Sequence, residues 1–412
     1  MLKKFLRISL ILASMSFAST GNAFHSYEHI YIGDWLKIPC LTQSSQHEMP
    51  TIKSQLAKWC TIPLENKSYL SFGQIIALAG DFYGYPYNSN LFKTGLPILP
   101  ISNIDLQASE LFEPIFSSEK NRFQSAFNTL YKAGNDVELR NIIHVMQKQE
   151  KYAMTNTHYD PTCDFEYATG ALACYAGIPS PIAAFNGRYI KLAQSNIDHF
   201  GIHALRTYMI GHSIALTCAK AVKHTQKINH KWDALSQCLS IEAFSLHFLT
   251  DLFSTGHIRT PRVELLKKTT ISPLISGGLL AKKMHDEDSL LGLSIKNIDG
   301  NSWYGYGDNE LLKDKSEKHR EMIISAVQLS LDEVSEAFYF KRSYNLKQFA
   351  ALRKVPLIEY MLPDYSDHLN IKDHYALFLR HQAQNKVYRR KYLHQPNHHE
   401  YKRKWNAILS LF

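Results

Sequence analysis

The chain has 412 residues, 45% of them hydrophobic and 20% charged, enough for one large core or two domains. Its formal charge of +9 is uneven: residues 341–412 hold 14 Lys and Arg against 5 Asp and Glu, while Lys3, Lys4 and Arg7 stand at the N-terminus. Without those three residues the chain carries +6 and the body from 24 to 340 carries −3, which excludes a basic body and confines attraction to anionic partners to a C-terminal module.

The three basic residues precede an apolar run from Ile8 to Ala18, and Gly21-Asn22-Ala23 places small residues where a signal peptidase reads. This is the pattern of a secretory signal peptide over 1–23, too short for a stable membrane span. Cleavage after Ala23 makes Phe24 the mature N-terminus. No long apolar run follows, so a soluble, secreted protein is expected. Six cysteines lie in three close pairs, and the local pairing, Cys40–Cys60, Cys163–Cys174 and Cys218–Cys238, is expected in an oxidising compartment. None has the CxxC spacing of a thiolate site, so zinc here would be held by His and Asp.

Residues 71–81 read as a short helix ending near Asp81. Residues 92–190, with Pro97, Pro100, Pro114, Pro161, Pro179 and Pro181, read as a loop-rich insertion with short helices, one of them near 137–150. Long helices follow over 196–223 and 237–255. Gly292, Gly300, Gly305 and Gly307 surround Trp303, Tyr304 and Tyr306, a glycine-aromatic loop expected to wall a site. Residues 316–339 carry Ile323, Ile324, Val327, Leu331, Val334 and Phe338 at helical spacing. Residues 341–412 form a basic extension that fits an anionic membrane, a nucleic acid or a solvated surface. Strand alternation is rare, and the fold class is mainly α.

The most informative stretch is His247-Phe-Leu-Thr-Asp251-Leu-Phe-Ser-Thr-Gly-His257. Positions four apart share a helical face, so His247 and Asp251 are placed to share a metal, and Gly256 fits a helix end that turns His257 back toward them. Imidazole with carboxylate is a zinc-type donor set. The competing reading is a hydrogen-bonded buried pair without metal.

Other segments extend the set: Phe24 with His29 (or His25), Asp81 in Gly80-Asp81-Phe82-Tyr83-Gly84-Tyr85-Pro86-Tyr87, His199 in Asp198-His199-Phe200 (with His203 and His212 as competitors), and Met284-His285-Asp286-Glu287-Asp288-Ser289. In this order and spacing the chain resembles the three-zinc phospholipase C superfamily, which also contains zinc-dependent single-strand nucleases. His257-Ile-Arg259-Thr-Pro261-Arg262 and Met284-His285-Asp286-Glu287-Asp288 are similar to its larger secreted bacterial branch. The resemblance covers roughly 24–90 and 191–340, and leaves the insertion and residues 341–412 unexplained. It departs from the family at Ser289, where a carboxylate usually stands four residues after the His. Asp288 shares a face with His285, and Asp286 and Glu287 are alternatives.

The resemblance implies a zinc-dependent phospholipase C-like helical bundle over 24–340 holding three zinc ions. Asp251 would bridge two of them. Asp81, His199 and His247 would complete one site, His257, His285 and Asp288 the second, and Phe24 and His29 the third. It implies phosphodiester hydrolysis by a metal-activated water, with Asp81 and Asp251 as catalytic residues. The expected substrate is a glycerophospholipid at a membrane surface, the expected state a monomer with no stable nucleic-acid complex. The alternatives are an exported nuclease or nucleotidase on the same cluster and a non-enzymatic, zinc-stabilised surface-binding protein. Phe82, Tyr83, Tyr85 and Tyr87 would contact a choline group, stack a base or pack a loop. Arg259 and Arg262 would bind phosphate or pair with the acidic run 286–288.

Overall fold

The computed structural model describes residues 25–42, 49–65, 67–84, 109–132, 136–155, 159–170, 196–224, 227–258, 278–345 and 349–356, with short pieces elsewhere. The expected signal peptide, Phe24 and most of the basic extension lie outside the described residues.

Among the described residues the fold is mainly helical, with five two-stranded ribbons. Helix α1 (Ser26–Asp34) leads into the ribbon of β1 (Lys37–Thr42) and β2 (Thr51–Leu56), then the short pair β3 (Ile62–Pro63) and β4 (Tyr69–Leu70), and helix α2 (Phe72–Tyr83). Ser71 starts α2 with a reciprocal cap: its Oγ accepts from Gln74 N at 3.1 Å, and Gln74 Oε1 accepts from Ser71 N at 2.9 Å. The two helices cross at glycine; a Cβ on Gly33 would lie 2.4 Å from Gly73 Cα. This close approach carries His29 of α1 toward the interior face of α2.

The insertion is more helical than a loop-rich reading. Helices α3 (Ser109–Tyr131), α4 (Asp136–Met154) and α5 (Thr162–Ala168) occupy it, with a ribbon of β5 (Cys174–Tyr175) and β6 (Ile178–Pro179). The prolines conceal a helical stripe: Phe123, Ala126, Phe127 and Leu130 are all buried, at the spacing of one helix face. Phe123 and Phe127 meet Phe244 edge-on at 5.3 and 5.8 Å. The expected helix near 137–150 lies within α4.

Helix α6 (Gly201–Ala221) packs along α7 (Ile228–Asp251), which also contacts α1, α2, α3 and α10 (Glu317–Phe340). Every residue of α7 from Cys238 to Asp251 is buried, as expected of a helix surrounded on all sides. The expected single helix over 196–223 is broken: residues Ile197–His199 form a 3-10 turn, and Gly201 begins α6 with φ +49. His199 therefore stands before α6 and shares no helical face with His203. The expected helix over 237–255 also breaks, ending at Asp251 and resuming as α8 (Thr255–Ile258). Gly256 thus does not end a helix. It lies inside α8 where a Cβ would meet Ser289 Oγ at 2.4 Å and His285 Cδ2 at 2.7 Å, so it permits the approach of α9 (Gly278–Leu291).

The glycine-aromatic segment is a hairpin of β7 (Leu293–Lys296) and β8 (Ser302–Gly305). Trp303 Nε1 donates to His319 Nδ1 at 2.9 Å, leaving His319 Nε2–H for the Tyr306 carbonyl at 3.0 Å and locking the hairpin to α10. Phe349, Ala351 and Val355 are buried in the same core, so packing continues beyond 340 into the extension. A last ribbon pairs β9 (Phe378–His381) with β10 (Lys386–Arg389). Disulfides join Cys40–Cys60 and Cys218–Cys238, as expected; Cys163 is disulfide-bonded as well. No helix among the described residues is long and apolar enough to cross a membrane.

Candidate metal centre

The last turn of α7 delivers His247 and Asp251, both fully buried, to a point where α1, α2 and the 3-10 turn converge. Asp251 Oδ1 lies 3.8 Å from His29 Nε2, and Oδ2 lies 3.6 Å from His247 Nε2 and 2.7 Å from His199 Nδ1. Neither oxygen has a hydrogen-bond partner; the 2.7 Å contact is close but not aligned as a hydrogen bond. The two oxygens thus face different imidazoles, as a carboxylate shared between two cations would.

Hydrogen bonds fix which nitrogens carry lone pairs. His247 Nδ1 lies 2.8 Å from the Ile76 carbonyl of α2, so it carries the proton and Nε2 turns its lone pair to His199 Nδ1 at 3.2 Å and Asp251 Oδ2 at 3.6 Å. Thr250 Oγ1 donates to the His247 carbonyl at 2.7 Å, so it accepts from His29 Nδ1 at 3.0 Å. That leaves the lone pair of His29 on the nitrogen facing Asp251. Ser26 Oγ donates to Asp81 Oδ2 at 3.1 Å, and Asp81 Oδ1 is buried without a hydrogen-bond partner.

Among the described residues, three overlapping triads have ligand atoms within 4.8 Å of one another: His29–His247–Asp251, Asp81–His199–His247 and His199–Asp251–His257. The third admits His257 through Nδ1, which already lies 2.6 Å from the His199 carbonyl. Its lone pair is on Nε2, which has no hydrogen-bond partner, and its ring lies 5.0 Å from that of His285. His285 and Asp288 are buried on α9 but belong to none of these triads. Of the competitors, His25 faces Gln149, His203 lies near Arg206, and His212 sits between Glu242 and Glu333 at 2.8 and 3.0 Å.

Burial dominates the titration of the cluster. It pushes Asp251 up to about 8, against the attraction of His247, and raises Asp81 well above its ordinary value with help from Asp251. Burial lowers His247 to about 4 and His199 to about 3, and takes His29 and His257 well below the usual imidazole range. The centre therefore collects neutral imidazoles around carboxyl groups that ionise readily only beside a cation. The donor set and the unpartnered atoms fit zinc. So does Gly80, where a Cβ would lie 2.2 Å from both His199 Cε1 and His247 Nε2, leaving the backbone as a wall against the donors.

A pH dependence follows. At pH 7 the histidines are already neutral and release no proton, whereas Asp251, pushed up to about 8, must lose its own. Zinc binding is expected to release about one proton from Asp251, and its affinity to keep rising well above the ordinary histidine range near about pH 6.5. Calorimetric titration in buffers of differing ionisation enthalpy measures both. An affinity that levels off near that pH would show that Asp251 is not a ligand.

Of the three readings of the aromatic run, its described members follow the packing one. Phe82 packs on Phe165 and Tyr189 at 5.0 and 5.5 Å, and Tyr83 donates to Glu138 at 2.8 Å; Tyr85 and Tyr87 lie outside the described residues. Arg262 is buried over Phe200 and donates to the Ala193 carbonyl, so phosphate binding and pairing with 286–288 both give way to packing; Arg259 is outside the described residues. Sequence reading passed over Ser26, Thr250, Glu28 and Asp308. Only Asp308 carried a signal, as the carboxylate closing the glycine-aromatic run. A cleft of about 610 Å³ adjoins Asn309, lined by His25, Tyr27, Gln149, Tyr152 and Tyr159.

Comparison with known proteins adds no relative: no family model, curated protein or solved structure matches this chain.

Proposed function

We propose that the protein is a secreted, zinc-dependent phospholipase C that hydrolyses glycerophospholipids of the phosphatidylcholine type to diacylglycerol and a phosphorylated head group. The observation that carries the reading is Asp251, a buried carboxylate whose oxygens face different imidazoles. His29, His247, Asp251, Asp81 and His199 would hold zinc, with Phe24, His257, His285 and a carboxylate partner of His285 as the further donors implied by the resemblance. Bound zinc neutralises phosphate charge and acidifies water. Asp81, with one oxygen occupied by Ser26, keeps the other to orient or deprotonate an attacking water.

Lipid is favoured over nucleic acid by the net −3 of the body and by the outer surface. Trp35 and Trp59 are 47% and 72% exposed, with Lys58 over both rings at 4.6 and 5.0 Å, a composition suited to a lipid–water interface. Disulfides agree with export. The test is a panel of phospholipid vesicles and single-stranded DNA, assayed with and without zinc chelator. Release of diacylglycerol and phosphocholine, lost on chelation, is expected. Chelator-sensitive cleavage of DNA but not lipid would make the protein a nuclease, and bound zinc with neither activity would make it a binding protein.

A further inference from the structure

We propose that Asp308, on the loop after the β7–β8 hairpin, is a zinc ligand that acts with His285 and His257 beside the Asp251 cluster. The inference rests on the metal-centre reading above and goes beyond it, since both sequence and resemblance direct attention to the acidic run after His285.

His285 is 1% exposed. Its Nδ1 lies 3.2 Å from Asp286 Oδ1, which places the proton there and the lone pair on Nε2. That nitrogen has no hydrogen-bond partner and faces Asp308 Oδ2 at 3.6 Å. The separation is too long for a hydrogen bond. It is close to the roughly 3.4 Å between two ligand atoms each about 2.1 Å from a tetrahedral zinc. The Asp251–His247 pair shows the same 3.6 Å spacing. Asp308 Oδ1 is also buried without a hydrogen-bond partner. His257 stands beside the pair, its Nε2 unpartnered and its ring 5.0 Å from His285, although its ligand atom, that of His285 and that of Asp308 do not all lie within 4.8 Å of one another. Asp286 is then an orienting group for His285.

The departure at Ser289 has a steric cause that supports this assignment. A Cβ on Gly307 would lie 2.3 Å from Ser289 Oγ, and one on Gly256 would lie 2.4 Å from it. Two backbones thus close around position 289, and the space a longer acidic side chain would need is filled by the loop that carries Asp308. That loop is anchored on both sides of the carboxylate. Gly307 N donates to the Ser289 carbonyl at 3.0 Å. Buried Glu28 accepts from Asn309 N at 3.1 Å and Leu311 N at 2.9 Å, and also from His25 N at 2.8 Å. Glu28 thereby ties the Asp308 loop to the start of α1, one residue from His29.

The test measures metal content rather than turnover. The full chain and its Asp308→Asn, Asp308→Ala and Asp288→Asn variants are purified from zinc-supplemented medium, dialysed against a weak chelator and analysed by elemental mass spectrometry. Both Asp308 variants are expected to hold one zinc fewer than the parent, with Asp288→Asn unchanged. The affinity of that position should fall by at least ~10–100-fold, the loss that outer contacts alone can cause. Asp308→Asn keeps shape and volume, so it remains readable if the alanine variant fails to fold. Circular dichroism and a cobalt titration of parent and Asp308→Asn, counting tightly bound equivalents by visible absorption, report fold and site separately. Full zinc content in the Asp308 variants, or loss of a zinc from Asp288→Asn instead, overturns the assignment while leaving the Asp251 cluster intact. A parent with no zinc overturns the metal-centre reading itself.

Discussion

Asp251→Asn is expected to strip the protein of its cluster zinc and of phosphodiesterase activity while leaving it folded. Both oxygens of Asp251 are buried and face imidazoles rather than hydrogen-bond donors, so replacing one oxygen with an amide introduces donors where lone pairs are required. Several kcal/mol of charge stabilisation is the usual contribution of a catalytic metal. At about 1.4 kcal/mol per factor of ten, turnover should fall at least about a thousandfold. Fold and metal are separable here. Asp251 is pushed up to about 8 by burial, so without metal at neutral pH the carboxyl is mostly protonated, and asparagine resembles it in charge and shape. Under chelation the parent and the variant should therefore melt within a few degrees of each other. Added zinc should raise the melting point of the parent alone, because only a state that binds ligand is stabilised by it. A variant that keeps its zinc, or a parent whose melting point ignores zinc, would reduce His247–Asp251 to a buried polar pair.

Gly80→Ala is expected to do comparable damage without removing a donor. A Cβ there would lie 2.2 Å from His199 Cε1 and from His247 Nε2, far inside contact distance. His247 is pinned by its bond to the Ile76 carbonyl, and the carbonyl of His199 is held by His257, so neither ring has an easy retreat. Overpacking of this kind costs about 1–3 kcal/mol, equivalent to a fall of a few degrees in melting temperature. The larger effect should fall on the metal, since the intruding methyl displaces two donors together. Zinc content by mass spectrometry and thermal unfolding read the two consequences. Parent-like zinc content in Gly80→Ala would mean that α2 does not form the wall of the centre.

The helices, and the donors on the best of them, were legible in the sequence because their information is local. Apolar spacing marked α2, α7 and α10, and the four-residue interval between His247 and Asp251 needs only one helical turn to become a shared face. The cysteine pairs Cys40–Cys60 and Cys218–Cys238 were legible for the same reason, each closing a short loop. Boundaries were less legible. The breaks at Gly201 and after Asp251 are decided by contacts with other elements, including the His257–His199 bond, and the prolines of the insertion hid the stripe of Phe123, Phe127 and Leu130.

By itself, then, the sequence determined the mainly helical class, the donor types and the helical face shared by His247 and Asp251, since periodicity and residue chemistry act over a few neighbours. Only the tertiary structure decided which candidates meet. It turned His29 rather than His25 toward Asp251, paired His212 with glutamates, buried Phe82 and Tyr83 in the core, and set Asp308 opposite His285. These outcomes depend on backbones approaching at Gly33, Gly80, Gly256 and Gly307. A close approach is a relation between distant segments, and spacing along the chain does not encode it.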